Sequence, residues 1–142
     1  MNINKALKQK NKLVVKANDA YKRFSTYNSF EENSHIPYDA RESYNQWINL
    51  TNELVELKTK IHKANLAIYD KIFRLSELKN LVSKLKNVSC SEGTSTNNYT
   101  GIQTKTKAVM SINERDELIA KFEDEIETLQ DELEVHNATT KI

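Results

Sequence analysis

Apolar residues recur along most of this chain at alternating steps of three and four, the spacing that keeps one stripe on one side of an α-helix. The stripe is clearest from Trp47 onward, where Leu50, Leu54, Leu57, Ile61, Ala64 and Ile68 follow at three-four-three-four spacing. Tyr44, Ile48 and Val55 widen it, as in a helix that meets more than one neighbour. An earlier stripe, Ile3, Leu7, Lys10, Val14, Ala17, Tyr21 and Phe24, predicts a first helix over about 4–27. Its seam holds Lys10, which either specifies register at a cost in stability or snorkels to water. The last stripe, Ile119, Phe122, Ile126, Leu129 and Leu133, predicts a helix over about 112–136. Ser111-Ile112-Asn113-Glu114 opens it as a capping box, hydroxyl and carboxylate each answering the other's backbone donor.

Between the stripes the spacing fails in informative ways. "NSFEENSHIPYDARES" contains the only proline, Pro37, and reads as a loop between antiparallel helices, the second helix running over about 38–68. "LAIYDKIFR" is apolar on too many sides for one exposed face. It predicts a tight turn or kink, buried by other helices or by another subunit. Ser76 reads as the N-cap of a short third helix over about 76–88, with Leu78, Leu81, Val82 and Leu85 facing inward. Residues 89–110 form a loop and β-arm: Ile102, Thr104, Thr106 and Ala108 alternate with Gln103, Lys105 and Lys107. The strand's partner is either the Ser/Thr segment before it or the same strand of another subunit, and the expected form is a hairpin arm. The expected fold is mainly α, an antiparallel helical bundle with coiled-coil-like long helices and one short β-hairpin, in a single helical domain over 1–142.

Composition agrees with long helices. Two glycines and one proline in 142 residues are far too few for turn-rich β or phosphate-loop α/β folds. No stretch approaches the roughly 18 apolar residues of a membrane span. "MNINKALKQKNK" is basic but lacks the apolar core of a signal peptide. The single Cys90 has no internal partner, so a reducing, cytoplasmic setting is the simpler expectation.

The net charge of +1 conceals segregation: residues 1–25 carry +6, 26–55 carry −4, 56–86 carry +5 and 112–142 carry −7. Two basic helices and one acidic helix either pack flank to flank or leave a basic groove for an anionic partner.

With these elements placed, the chain resembles a family of small uncharacterised helical bacterial proteins, some of which carry the label septicolysin. The carrying stretches are "ALKQKNKL", "LVELKTKIHKAN", "RLSELKNLV" and the closing "LQDELEVHNATTKI". That family typically ends in Asn-Trp-Thr-Thr, an acidic residue and an apolar one. Asn137, Thr139 and Thr140 fit, while Ala138 replaces the tryptophan and Lys141 the acid. The resemblance implies a compact helical fold that assembles into a homo-oligomer, and it supplies no established activity. The retained polar tail suggests docking onto the bundle or onto a neighbouring subunit. The label itself implies a cytolysin, yet the cleanest amphipathic helix is acidic rather than cationic.

Catalytic constellations are missing. Gly93 and Gly101 stand apart, so there is no phosphate loop, and no HExxH, cysteine pair or Gly-x-Ser-x-Gly occurs. His35, His62 and His136 lack ligand spacing; His62 either meets a carboxylate or is solvated. The expected function is non-enzymatic and needs no cofactor or metal. It is a homo-oligomer, joined by helix seams and the β-arm, that sequesters a small anionic, nucleotide-type ligand, as phage sponge proteins do with a host immune signal. The candidate ligand residues are Asn65, Tyr69, Arg74, Lys79, Tyr99, Asn137 and Thr139, which supply cations, amide and hydroxyl donors and aromatic plates. The alternative is a structural or adaptor protein without a small ligand. Nucleic acid is not an expected partner, because Lys outnumbers Arg and the acidic helix repels phosphate.

Overall fold

The computed structural model describes all 142 residues. Helices α1 (Ile3–Tyr27) and α2 (Ala40–Asn65) are followed by one 3₁₀ turn (Leu66–Ile68) that leads directly into α3 (Tyr69–Lys86). Strands β1 (Gly93–Thr96) and β2 (Gln103–Thr106) form an antiparallel hairpin, and α4 (Ile112–Thr139) closes the chain. The protein is therefore mainly α with one short β-hairpin. The chain divides into two compact units, Met1–Ala67 with Val135–Ile142, and Ile68–Glu134.

In the first unit, α1 begins where the Asn2 side chain accepts from the Lys5 N–H at 2.9 Å. α2 begins after Pro37 with Asp39 Oδ1 accepting from the N–H groups of Arg41 and Glu42. The loop between them lets α2 run back along α1. Ala6 and Leu13 pack with Leu57 and Ile61, and Leu7, Leu50, Leu54 and Ile142 close around them. Each large buried aliphatic here contributes about 1.5–3 kcal/mol over exposure. Toward the loop the seam becomes aromatic: Tyr21 and Trp47 rings lie 5.0 Å apart, Phe24 and Tyr44 rings 5.4 Å.

The α2 stripe from Trp47 to Ile68 has no exposed member. The α1 stripe holds at Ile3 and Ala17, which are buried, and gives way elsewhere: Leu13 is 6% exposed while Val14 is 37%, and Ala6 and Ala20 are buried where Tyr21 lies open. Small alanines let two helix backbones approach closely, so the face that carries them turns inward and the larger Val14 and Tyr21 flank it. Ile48 and Val55, expected to touch a further neighbour, are exposed within the chain.

In the second unit, Leu78 and Val82 of α3 and Ile119 of α4 are buried. The helices run antiparallel: Lys71 bridges to Glu132 at 2.9 Å, whereas at the far end Arg115 of α4 donates to the Val88 carbonyl at 2.9 Å. Arg74–Glu125 at 3.0 Å and Lys86–Glu123 at 3.1 Å complete a row that pairs a basic with an acidic flank. The Ser111 hydroxyl accepts from Glu114 N at 3.1 Å, one of the two bonds of the expected capping box.

One expectation needs correction here. α3 starts at Tyr69 rather than Ser76, which is an exposed residue inside the helix. No Gly or Pro interrupts residues 69–75, Asp70 suits the N-terminal dipole, and the Tyr69 and Phe73 rings stack one turn apart at 5.6 Å. The kink is present as the 3₁₀ turn, with Leu66 60% and Phe73 63% exposed, so of the two expected covers the one left open is another subunit.

The strand at 103–106 pairs with the Ser/Thr segment before it, Gly93 opposite Thr106 and Thr96 opposite Gln103. All eight strand residues are exposed. The reversal is built by Asn97, whose side-chain oxygen accepts from Tyr99 N and Thr100 N, and by Gly101 at φ 71.

Candidate functional site

In the first unit the terminal segment is tied to the start of α1 by backbone hydrogen bonds. Ile3 N donates to Thr140 O at 3.2 Å and Ile142 N to Met1 O at 3.0 Å, so Asn2 and Lys141 form an antiparallel bridge. The Asn2 amide also donates to Ala138 O at 3.0 Å. These bonds satisfy donors at the start of α1 and carbonyls at the end of α4, which a helix end otherwise leaves orphaned.

His136 joins this clasp to α2. Its Nε2 lies 3.2 Å from Asn65 Oδ1, and its Nδ1 lies 3.1 Å from Thr140 Oγ1. A neutral imidazole satisfies both contacts, with Nε2–H donating to the amide oxygen and Nδ1 accepting from the hydroxyl. Beside the clasp, Gln9, Leu13, Glu53, Leu57, Lys60 and Ile142 line a cleft of about 190 Å³. With Glu56 also lining it, side-chain carboxylates outnumber cations there, which disfavours an anionic guest.

The expected ligand residues fall in both units, three in the first and four in the second. Asn65 engages His136, Asn137 is half-buried nearby in sequence, and the Thr139 hydroxyl donates to its own helix at Val135 O, 2.7 Å. Tyr69, Arg74 and Lys79 belong to the second unit, spaced five apart on α3 and so facing different sides of it. The Arg74 guanidinium is already held, donating from Nε and Nη2 to both Glu125 oxygens at 3.0 and 3.2 Å. That carboxylate holds Arg74 above its ordinary value, as Glu132 does for Lys71. Tyr99 sits at the hairpin tip and is 99% exposed.

Sequence reasoning missed His136 and Asn2 as structural partners. His136 had no second histidine at ligand spacing, and Asn2 meets its partner Ala138 across 136 positions, beyond any periodic signal. At the hairpin base, Thr94, Lys105, Thr106 and Lys107, with Glu92, border an open cleft of about 430 Å³. No group of three His, Cys, Asp or Glu is placed to hold a metal ion, and no helix is long and apolar enough to cross a membrane.

No family model, curated protein or solved structure matches the chain. The likeness to the septicolysin-labelled family rests on the quoted residues alone.

Proposed function

We propose that this chain is a non-enzymatic bacterial or phage protein that works as a homo-oligomer in the cytoplasm, assembled through apolar faces its own fold leaves open. One observation carries the reading. The chain exposes 10803 Å² of surface at 16.4 kDa. A compact monomer of that mass exposes about 7,500 Å², and two separate units of half the mass together expose only about 9,000 Å². Ten apolar residues are buried, whereas Val15, Val55, Leu66, Phe73 and Val109 are among those in water. Leu66 in the first unit and Phe73 in the second each leave apolar surface that a further subunit would cover.

Within that assembly the most concrete activity is sequestration of a small anionic, nucleotide-type ligand. The hairpin base supports it, with Lys105 and Lys107 beside the Thr94 and Thr106 hydroxyls. The engagement of Arg74 by Glu125 favours the second reading, a structural or adaptor assembly without a ligand. Native mass spectrometry of protein taken from cells tests both, because it reads subunit number and any retained small molecule together. Multimers carrying a nucleotide-sized adduct support sequestration. Bare multimers that no nucleotide stabilises thermally leave assembly alone.

A further inference from the structure

α2 carries two stripes, and the core uses one of them. Leu50, Leu54, Leu57 and Ile61 pack with Ala6 and Leu13 of α1. On the opposite side, roughly 150° around the helix, Ile48, Asn52, Val55, Thr59, His62 and Leu66 follow at alternating steps of four and three. This second stripe holds no charged residue over a length of about 27 Å, and all six members are exposed. Val55 is 58% and Leu66 60% exposed. The Thr59 hydroxyl already donates to Val55 O at 2.9 Å, so covering it orphans no donor. An uncharged heptad stripe along a highly charged helix is the pattern of a coiled-coil seam.

The order of charges along α2 says what covers it. Glu42, Glu53 and Glu56 all precede Lys58, Lys60 and Lys63, and only Arg41, over the Tyr44 ring, departs from this order. Antiparallel alignment with an identical helix lays the acidic half along the basic half, whereas parallel alignment lays like on like. The flanks of the stripe agree. Glu56 and Lys63 border one side, while Thr51, Lys58 and Asn65 border the other. None of Glu56, Lys58 and Lys63 forms an ion pair within the chain. In a parallel pair opposite flanks meet, which sets Lys58 beside the partner's Lys63. In an antiparallel pair like flanks meet, and Glu56 faces the partner's Lys63 instead.

We propose that α2 pairs antiparallel with α2 of a second copy about a twofold axis, Val55 against the partner's Leu66. That register sets Glu56 beside the partner's Lys63 and Lys58 beside the partner's uncharged Asn65, each contact formed twice. The two most exposed apolar members of the stripe then cover each other. The inference rests on the self-association proposed above and names its contact within the first unit.

Light scattering of the full chain over a concentration series reads the strength of the contact. Double electron–electron resonance reads its direction, with nitroxides at Asn49→Cys or Lys60→Cys in a Cys90→Ser background. Val55→Glu should weaken association at least about tenfold, because it places a charge in the seam. Circular dichroism should keep its helicity, since Val55 lies outside the core. Glu56→Lys and Lys63→Glu should each weaken association, and the two together should restore it, because the pair is exchanged on both sides. The label at 60, near the centre of the overlap, should report a spacing roughly 15 Å shorter than the label at 49. If Val55→Glu loses helicity, the charge exchange decides. Three results overturn the inference. A multimer unmoved by Val55→Glu and by the charge changes shows that the copies meet elsewhere. Equal spacings from the two labels mark a parallel pair. Both of these remove this contact alone. A lone 16.4 kDa species at every concentration removes it together with the self-association, and leaves the stripe to a different partner.

Discussion

The His136 imidazole lies 3.2 Å from the Asn65 amide oxygen, 71 positions earlier in the chain. Through this contact and the Thr140 hydroxyl, the terminal segment is held to α2 as well as to the start of α1. The polar tail is thus a structural element, and its character follows from what it bonds.

His136→Ala should therefore destabilise the fold by about 1 kcal/mol, since both partners lose a half-buried bond. Chemical denaturation reads this directly. A double-mutant cycle with Asn65→Ala should return a coupling of about 0.5–1.5 kcal/mol. Strictly additive losses would show that the contact contributes nothing.

The register of the α1 seam gives a sharper contrast. Leu13→Ala should cost about 2–4 kcal/mol, because it opens a cavity among Ala6, Leu57 and Ile61. Val14→Ala, one position on and exposed, should cost clearly less. Urea melts that reverse this order would restore the stripe that periodicity alone suggests.

That contrast marks how far the sequence reaches. The α2 seam is legible because Trp47, Leu50, Leu54, Leu57 and Ile61 are large, so their spacing leaves one solution. In α1 the inward face sets Ala6, Ala17 and Ala20 beside Ile3 and Leu13, and alanine is a residue a hydrophobic pattern weights lightly although close helix approach selects it. Ser76 resembles a cap because serine favours caps, yet nothing breaks the chain before it and the helix has already begun at Tyr69. The hairpin is legible from its Thr alternation and its Asn and Gly turn. The candidate ligand residues were chosen for chemical type, and type does not report whether a neighbour such as Glu125 has already claimed the group.

The Lys71–Glu132 pair predicts a pH dependence. Its hydrogen bond to Glu132, and the charge beside it, hold Lys71 above its ordinary value of 10.5. Below that value both folded and unfolded chains keep the proton, and the pair contributes fully. As pH rises further the unfolded chain loses its proton first, and the contribution disappears through the folded-state value. The melting advantage over Lys71→Met should therefore be steady from neutral pH to about 10 and vanish above the folded-state value. High salt should also shrink it, since both side chains are solvated. An advantage that grows with alkalinity would contradict the pairing.

Replacing residues 93–106 with a short Gly/Ser link should leave the helical circular dichroism unchanged and the unfolding free energy within about 0.5 kcal/mol. The strand residues bury nothing, and an isolated two-stranded ribbon is marginal in water. Amide exchange across Gly93–Thr96 should accordingly be fast beside that of α2. Cooperative loss of the helices on deletion would show that the arm is integral to the fold.

The central claim is that the apolar surface this chain leaves open is covered by further copies of itself. Size-exclusion chromatography with light scattering at micromolar concentration measures that most directly. The account predicts a discrete multiple of 16.4 kDa that shifts toward smaller species when Leu66 and Phe73 are both changed to Ser. A single species at 16.4 kDa across the concentration range would contradict it.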